Sequence, residues 1–418
     1  MIQQTPTTVI VIGGGIIGLM SAHYLRKTGF DVTIIEKADF AAACSGGNCG
    51  YICPSHVLPL TEPGALRIAL KSMLQPNAPF RVKPRADPAL AKWMLQFARR
   101  CTHKQMLAAG VHLQAILESS MNEYRRLVAD ENLICEWQES GLTYVLRSPR
   151  AMEAFAKTDA LLTKHFGVSA ERIEGDRLSA FDPALRDDLS GAFHYRCDAM
   201  LRPDRLSAQL GERLRDCGVE MISDCEVAEV RSADQQVEAL VTSRGEMSAT
   251  HYVLAVGAWS GPLARQIGLR LPIEPGKGYS VTMQRPEPCP VHPMLFPEHK
   301  VGVTPFADGY RLGSMMEFAG FDDSIPEKRI AQLKTSAEPY LRSPHTDTET
   351  DRWFGWRPMT WDSLPVIGPA PRLSNVTVAT GHNMLGMSLA TGTGKLVAEL
   401  LSGEKPHLDV AAFSPARF

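Results

Sequence analysis

The sequence predicts an α/β protein of two domains, one discontinuous and built on a parallel sheet, the other a mixed-sheet α+β domain. Three observations carry this expectation. First, the apolar run Val9-Ile10-Val11-Ile12 meets Gly13-Gly14-Gly15-Ile16-Ile17-Gly18, and a helix-compatible stretch from Ile16 to Lys27 leads to a second run, Val32-Thr33-Ile34-Ile35, ending at Glu36. Second, His251 to Val256 repeats the pattern of a buried strand and ends in Gly257-Ala258-Trp259. Third, Val376 to Ala379 does so again before Gly381-His382-Asn383-Met384-Leu385-Gly386-Met387. Glycine-rich elements therefore flank a middle that has a different pattern.

The first unit is a Rossmann-like dinucleotide fingerprint. Gly13, Gly15 and Gly18 allow a tight turn, close approach to a pyrophosphate and packing of helix on strand. The first-turn amides and positive dipole end of that helix face phosphate, Gly29 stops the helix, and Glu36 accepts hydrogen bonds from a ribose diol. A glycine-rich turn alone is weak evidence, whereas strand, helix, strand and acid at this spacing define a nucleotide site. Glu36 suits NAD as well as FAD.

Asp87-Pro88 opens a helix with Leu90, Met94 and Phe97 on one face, and a longer helix carries Met106, Leu113, Ile116, Leu117, Tyr124 and Leu127 as core. Strands are expected at Leu142 to Leu146 and Ala192 to Tyr195, around a helix from Ala151 to His165. Pro203 to Asp216 reads as a helix, Val219 to Ile222 and Glu226 to Val230 as strands returning to the nucleotide sheet, and Pro272 to Gly313 as part of the second domain. The closing helix runs to about Leu401. The expected division is 1–85, 200–270 and 350–418 for the nucleotide domain, and 86–199 and 271–349 for the substrate domain.

With 44 basic and 46 acidic residues in 418, the net charge of −2 gives no reason to expect a nucleic-acid partner. No apolar run reaches the roughly 18 residues needed to span a bilayer, and no secretory signal is evident. Nine cysteines without such a signal fit reduced thiols in a cytoplasmic setting. Cys44, Cys49 and Cys53 lack a fourth ligand at a metal-site spacing, so no metal is expected.

Four segments carry a resemblance to a known family: the GGGIIG turn with Glu36; Cys44 to Gly50; Gly276-Lys277-Gly278-Tyr279-Ser280; and Trp356-Arg357-Pro358-Met359 with Thr380 to Met387. In order and spacing the chain resembles the FAD-dependent glycine, sarcosine and D-amino-acid oxidase superfamily, and within it the small-subunit type of D-amino-acid dehydrogenase. Pro63-Gly64 to Arg99, with Leu74-Gln75 and Lys92-Trp93-Met94, resembles the dehydrogenase branch. The resemblance implies noncovalent FAD held by Gly13, Gly14, Gly15, Ile16, Ile17, Gly18, Glu36 and Lys37. It implies a second loop at Cys44, Ser45, Asn48 and Gly50, adenine contact at Val227, and ribityl contact at Gly257 and Trp259. Gly381, His382, Asn383, Met384, Leu385, Gly386 and Met387 would close over the ring. No cysteine lies beside that closing segment to form a covalent link.

Substrate roles follow from chemistry together with the resemblance. Arg357 is the expected carboxylate anchor, because a guanidinium binds carboxylate through paired hydrogen bonds. Tyr279 would add a hydrogen bond or else be a core tyrosine, and His382 or His56 would take the ammonium proton, although an already neutral amine needs no base. Phe306 stands where glycine oxidase relatives have an arginine, and would form an apolar wall for a bulky or cyclic side chain.

The implied activity is oxidation of D-amino acids or cyclic imino acids such as D-proline or hydroxyproline, by hydride transfer to flavin N5, with electrons passed to a quinone. Leu66, Ile68, Leu70, Met73 and Leu74, interleaved with Arg67, Lys71, Arg81, Lys83 and Arg85, would give peripheral contact at the cytoplasmic face of the inner membrane, or simply a lid. The alternatives are an oxygen-using glycine- or sarcosine-type oxidase, a non-catalytic flavoprotein subunit, and a nicotinamide enzyme.

Overall fold

A computed structural model describes residues 7–41, 43–65, 67, 80–83 and 85–418. Leu66, Ile68, Leu70, Lys71, Met73, Leu74 and Gln75, named above, lie outside the described residues.

The first sheet has six strands in the order Val366–Pro369, Val376–Thr380, His251–Leu254, Thr8–Ile12, Asp31–Ile35, Glu220–Ile222. All pairings are parallel except that of the edge strand Val366–Pro369. Strand periodicity sorts Thr8–Ile12 between two cores. Val9 and Val11 join Leu19, Met20, Leu389 and Leu396 under helices Ile16–Lys27 and Gly386–Ser402. Ile10 and Ile12 face Val237, Leu240 and Tyr252 on the other side. Burial on both faces explains why the run is continuously apolar.

Val227–Ala233 departs from expectation. Instead of returning to the parallel sheet, it forms an antiparallel meander with Gln236–Thr242 and Gly245–Met247. Asp234 and Gln235 both take positive φ (47° and 62°), the left-handed pair that a tight hairpin needs. The meander covers the face of the sheet opposite the helices.

The second sheet has nine strands, in the order Glu349–Met359, Glu274–Met283, Tyr310–Phe318, Val301–Pro305, Met294–Phe296, Leu142–Leu146, Gly191–Tyr195, Glu171–Glu174, with Phe80–Val82 pairing off this path on Tyr310–Phe318. Two stretches assigned above to the nucleotide domain thus belong to this sheet. Glu349–Met359 pairs along its length with Glu274–Met283, and Phe80–Val82 with Tyr310–Phe318.

The long helix His103–Asp130 corrects the division in the other direction. All six of its expected core positions are buried, but Leu113, Ile116, Leu117, Tyr124 and Leu127 pack with the nucleotide sheet's helices. Tyr124 Oη donates to the Met387 carbonyl at 2.7 Å, Ser120 Oγ lies 2.9 Å from Thr391 Oγ1, and Lys395 pairs with Glu123 at 3.0 Å. Its apolar stripe finds the closing helix, which a strand-period sheet face would match less well.

Candidate active site

The nucleotide turn forms as its residues require. Gly13 has φ +109° and donates its N–H to the Ile35 carbonyl at 2.8 Å, which fixes the turn between the first two strands. A Cβ on Gly18 would overlap the Gly13 carbonyl oxygen, so that glycine is the contact by which helix meets strand. Glu36 accepts from the Gly14 amide at 2.7 Å and from Ala38 at 3.2 Å. Ser45 reaches across from the second loop, its Oγ accepting the Ile16 amide at 3.0 Å.

These elements open on one cleft of ≈ 1210 Å³ between the two sheets. Gly13, Gly15, Ile16, Ile17, Glu36, Lys37, Cys44, Ser45, Asn48, Val227, Gly257, Trp259, His382, Asn383, Met384, Leu385, Gly386 and Met387 all line it, with Arg357 and Tyr279. Gly14, Gly18, Gly50 and Gly381 do not. They shape the backbone behind it: Gly50 (φ +79°) lies against Leu201, and Gly381 (φ +71°) against Thr360. The closing segment is stapled by Asn383, whose Oδ1 accepts the Thr360 amide at 2.9 Å and whose Nδ2 donates to the Gly381 carbonyl at 2.9 Å. Ser388 ties the start of the closing helix to the Tyr51 carbonyl (2.9 Å).

Arg357 lies on Glu349–Met359, opposite Gly276. Its guanidinium rests on Gly278, where a Cβ would overlap it, and Nη1 donates to the Met315 carbonyl at 2.6 Å. Met315 takes φ +68° at a register shift between Tyr310–Phe318 and Glu274–Met283, one strand beyond the partner of Glu349–Met359, a bulge whose carbonyl meets the arginine. Arg357 has no carboxylate partner among the described residues. Its neighbours are the thiols of Cys44 and Cys49, both pushed up by burial, Cys44 to about 11, so they remain neutral and leave the cation uncompensated.

Three expected site residues are committed elsewhere. The Tyr279 hydroxyl donates to Glu317 at 2.8 Å, so its proton serves the sheet, as a core tyrosine's would. His382 is buried, sits 3.0 Å from Thr393 Oγ1, and is held neutral by desolvation, its pKa pushed down to about 3. His56, pushed down to about 4 for the same reason, places Nε2 3.0 Å from the Tyr144 hydroxyl. Neither imidazole suits proton capture near neutrality. Phe306 is fully buried away from the cleft, between the guanidiniums of Arg202 and Arg311 at 5.3 and 5.1 Å. The basic residues of the segment after Pro63 are also partly used: Arg81 pairs with Glu317, Lys83 with Asp322, and Arg85 with Asp87 and Glu274.

Sequence reasoning named Lys37, Trp259 and Trp356 but not the contacts among them, and it assigned the site no apolar wall beyond Phe306. Lys37 sits 3.7 Å over the Trp259 ring, Trp259 meets Trp356 edge-on at 5.3 Å, and Trp356 Nε1 is buried without a hydrogen-bond partner among the described residues. Leu60, Phe80, Trp93, Met94, Phe97 and Phe318 form an apolar wall, where Trp93 stacks on Phe97 at 5.5 Å. The helical spacing of Leu90, Met94 and Phe97 was the available signal.

Beside the cleft, Cys53, His56 and Asp198 bring donor atoms within 4.8 Å of one another. Asp198 is fully buried, accepts from Ser55 N at 2.9 Å and Ser55 Oγ at 2.6 Å, and burial pushes its carboxyl up to about 7 from 3.8. The native state then holds a proton that the unfolded chain releases between those values, so this contribution is full below about pH 4 and lost as pH rises through 7. Asp198→Asn is expected to raise stability at pH 8 by up to about 4 kcal/mol, the gain shrinking toward pH 4. Denaturant unfolding of both proteins across that range checks it.

A dinucleotide fits this architecture. The starts of two helices, Ile16–Lys27 and Gly386–Ser402, meet the same cleft without side-chain caps of their own, Gly257 leaves open space where a Cβ would stand, and the Trp356 indole N–H awaits an acceptor. Fold and site together define a nucleotide-dependent enzyme with its cleft between the two sheets.

Residues 8–400 match the family model described as FAD dependent oxidoreductase, and the chain belongs to that family, with FAD as its cofactor. It is 31% identical over 416 residues to a D-amino acid dehydrogenase of Agrobacterium fabrum, covering 98% of this chain and 99% of that protein. A Vibrio atlanticus D-amino acid dehydrogenase is 32% identical, covering 94% and 96%. Among solved structures, glycine oxidase from Geobacillus kaustophilus matches with a TM-score of 0.77 at 22% identity over 99% of both chains, and L-proline dehydrogenase from P. horikoshii with 0.73 at 18% over 99% and 98%.

Proposed function

We propose that this enzyme oxidises D-amino acids or cyclic imino acids at the bond between Cα and nitrogen and passes the electrons to a quinone-type acceptor. The observation that carries the reading is Arg357, a cation in the cleft with its guanidinium braced on Gly278 and Met315 and no carboxylate among the described residues to neutralise it. A substrate α-carboxylate supplies the missing charge, and a two-point grip orients Cα, the main requirement for transfer between fixed partners. The relatives named D-amino acid dehydrogenase support the substrate class.

FAD, when bound, supplies the two-electron acceptor, taking hydride from Cα at N5. The nucleotide turn, Glu36 and Ser45 would hold its adenosine and pyrophosphate, and the uncapped start of the closing helix would stabilise negative charge on the ring. His382 and His56 stay neutral and hydrogen-bonded, so neither takes the ammonium proton, and the substrate enters as the free amine, its proton left with solvent water. The wall of Leu60, Trp93, Met94 and Phe97 excludes water and suits an apolar or ring-shaped side chain.

We assign the acceptor by analogy with the dehydrogenase relatives. No helix among the described residues is long and apolar enough to cross a membrane, and with Arg81, Lys83 and Arg85 already paired, a membrane contact would rest on Arg67 and the segment after it. Cell fractionation separates the readings: activity in the soluble fraction with rapid peroxide formation favours an oxidase.

The direct test mixes purified protein anaerobically with D- and L-amino acids and follows flavin absorbance. Bleaching by D-amino or cyclic imino acids supports the reading, and flavin that no amine bleaches would identify a non-catalytic subunit. We further propose that FAD is held noncovalently. The thiols of Cys44, Cys49 and Cys53 line the cleft but are pushed up by desolvation and are poor nucleophiles. Acid precipitation is expected to leave the yellow flavin in the supernatant; colour in the pellet would show a covalent bond.

A further inference from the structure

Arg311, on Tyr310–Phe318, is 4% exposed and forms no ion pair with a carboxylate among the described residues. Its Nη1 donates to the carbonyl oxygens of Gly46 at 3.0 Å and Asn48 at 2.7 Å, and its Nε to Thr282 Oγ1 at 2.9 Å. Ser280 Oγ donates to the Gly47 carbonyl at 2.9 Å and Thr304 Oγ1 to that of Cys49 at 2.7 Å. Four successive carbonyls of the second loop are therefore drawn onto the sheet.

In a planar trans peptide the N–H points opposite to the C=O. The two peptides whose carbonyls Arg311 holds carry the N–H groups of Gly47 and Cys49, and no atom of the described residues accepts from either. The amides that follow each of them are used: Asn48 N–H meets the Ser45 carbonyl at 3.3 Å, and Gly50 N–H meets Asn48 Oδ1 at 2.8 Å. Gly47 and Cys49 both line the cleft. Arg311 thus selects which two amides stay open, and its own charge stands behind them.

We propose that Arg311 is a positioning residue for the reaction: by gripping the Gly46 and Asn48 carbonyls it aims the Gly47 and Cys49 amides as a donor pair at acceptor atoms of the cofactor ring. The inference rests on FAD occupying the cleft. Donors fixed before reaction favour the ring's electron-rich state at no cost in reorganisation, and a lysine here keeps the charge but lacks the second nitrogen through which Thr282 fixes the planar group against the two carbonyls.

The test uses purified holoenzymes: the parent, Arg311→Lys and Thr282→Val, the last removing only the acceptor that orients the guanidinium. Flavin content, visible spectrum, midpoint potential by dye equilibration, and kcat and KM are measured. Arg311→Lys is expected to retain flavin, shift the potential to more negative values, alter the spectrum and lower kcat by about 10- to 100-fold, with KM within about twofold. Thr282→Val should move the same quantities in the same direction by a smaller factor. A parental potential, spectrum and kcat in loaded Arg311→Lys overturns the proposal, as does a raised KM at constant kcat. If that variant does not fold, parental values in Thr282→Val overturn it. A parent protein that purifies colourless and takes up no FAD would instead refute occupancy of the cleft.

Discussion

Arg357→Met is expected to lower kcat/KM for the amino-acid substrate by about 10²- to 10³-fold. Truncating one partner of a buried, hydrogen-bonded charge pair costs about 2–5 kcal/mol, and each 1.4 kcal/mol is a factor of ten. The expected loss corresponds to about 2.8–4.2 kcal/mol, the middle of that range. Arg357→Lys restores the charge without the fork and should recover part of the loss. The discriminating measurement compares the amino acid with the corresponding amine lacking the carboxylate. If Arg357 anchors that group, the variant's deficit largely disappears for the amine. An equal deficit for both would show that the arginine acts by bracing Met315 and the bulge, and would remove it from substrate binding.

Gly18→Ala should abolish stable FAD retention, with flavin per chain below about a tenth of the parent's. The added methyl would overlap the Gly13 carbonyl oxygen, a backbone atom that cannot swing aside because the Gly13 amide is held by Ile35. The start of the helix must lift away from the strand, so the amides that face the phosphates move with it. Overpacking of this kind costs about 1–3 kcal/mol in stability, and its effect on cofactor capture is larger than its effect on folding. The ratio of flavin to protein absorbance reports it. A fully loaded Gly18→Ala protein would show that the turn does not set the pyrophosphate position.

How far the sequence speaks depends on the distance over which a residue's partners lie. The nucleotide turn is local: Gly13, Gly18 and Glu36 act on neighbours within one strand–helix–strand unit, and the pattern displays all of them. The helices Pro203–Asp216 and Gly386–Ser402 are legible for the same reason. Sheet membership is not local. Glu349–Met359 has the composition of many strands, and only its pairing with Glu274–Met283 shows that Arg357 is presented by the second sheet. The long helix His103–Asp130 exposes an apolar stripe in its sequence but not the identity of what covers it.

Side-chain commitments are the least visible. Tyr279 reads equally as a ligand donor or a core residue until Glu317 is seen beside it, and His382 reads as a base until Thr393 and burial are known. Phe306 occupies a position suited to a pocket wall, yet two guanidiniums sandwich it elsewhere. Arg311 leaves only a faint trace, one of two charges, with Glu317, in a mostly apolar strand.

The Thr8–Ile12 strand lies next to His251–Leu254, which in turn lies next to Val376–Thr380, and the helix that follows closes over the cleft. During synthesis the phosphate-binding turn emerges early but waits for segments made more than two hundred and three hundred residues later before its sheet is complete. Cofactor capture therefore belongs to the finished chain, and a ribosome-bound fragment stopped short of Val376 would leave the turn without one wall of its site.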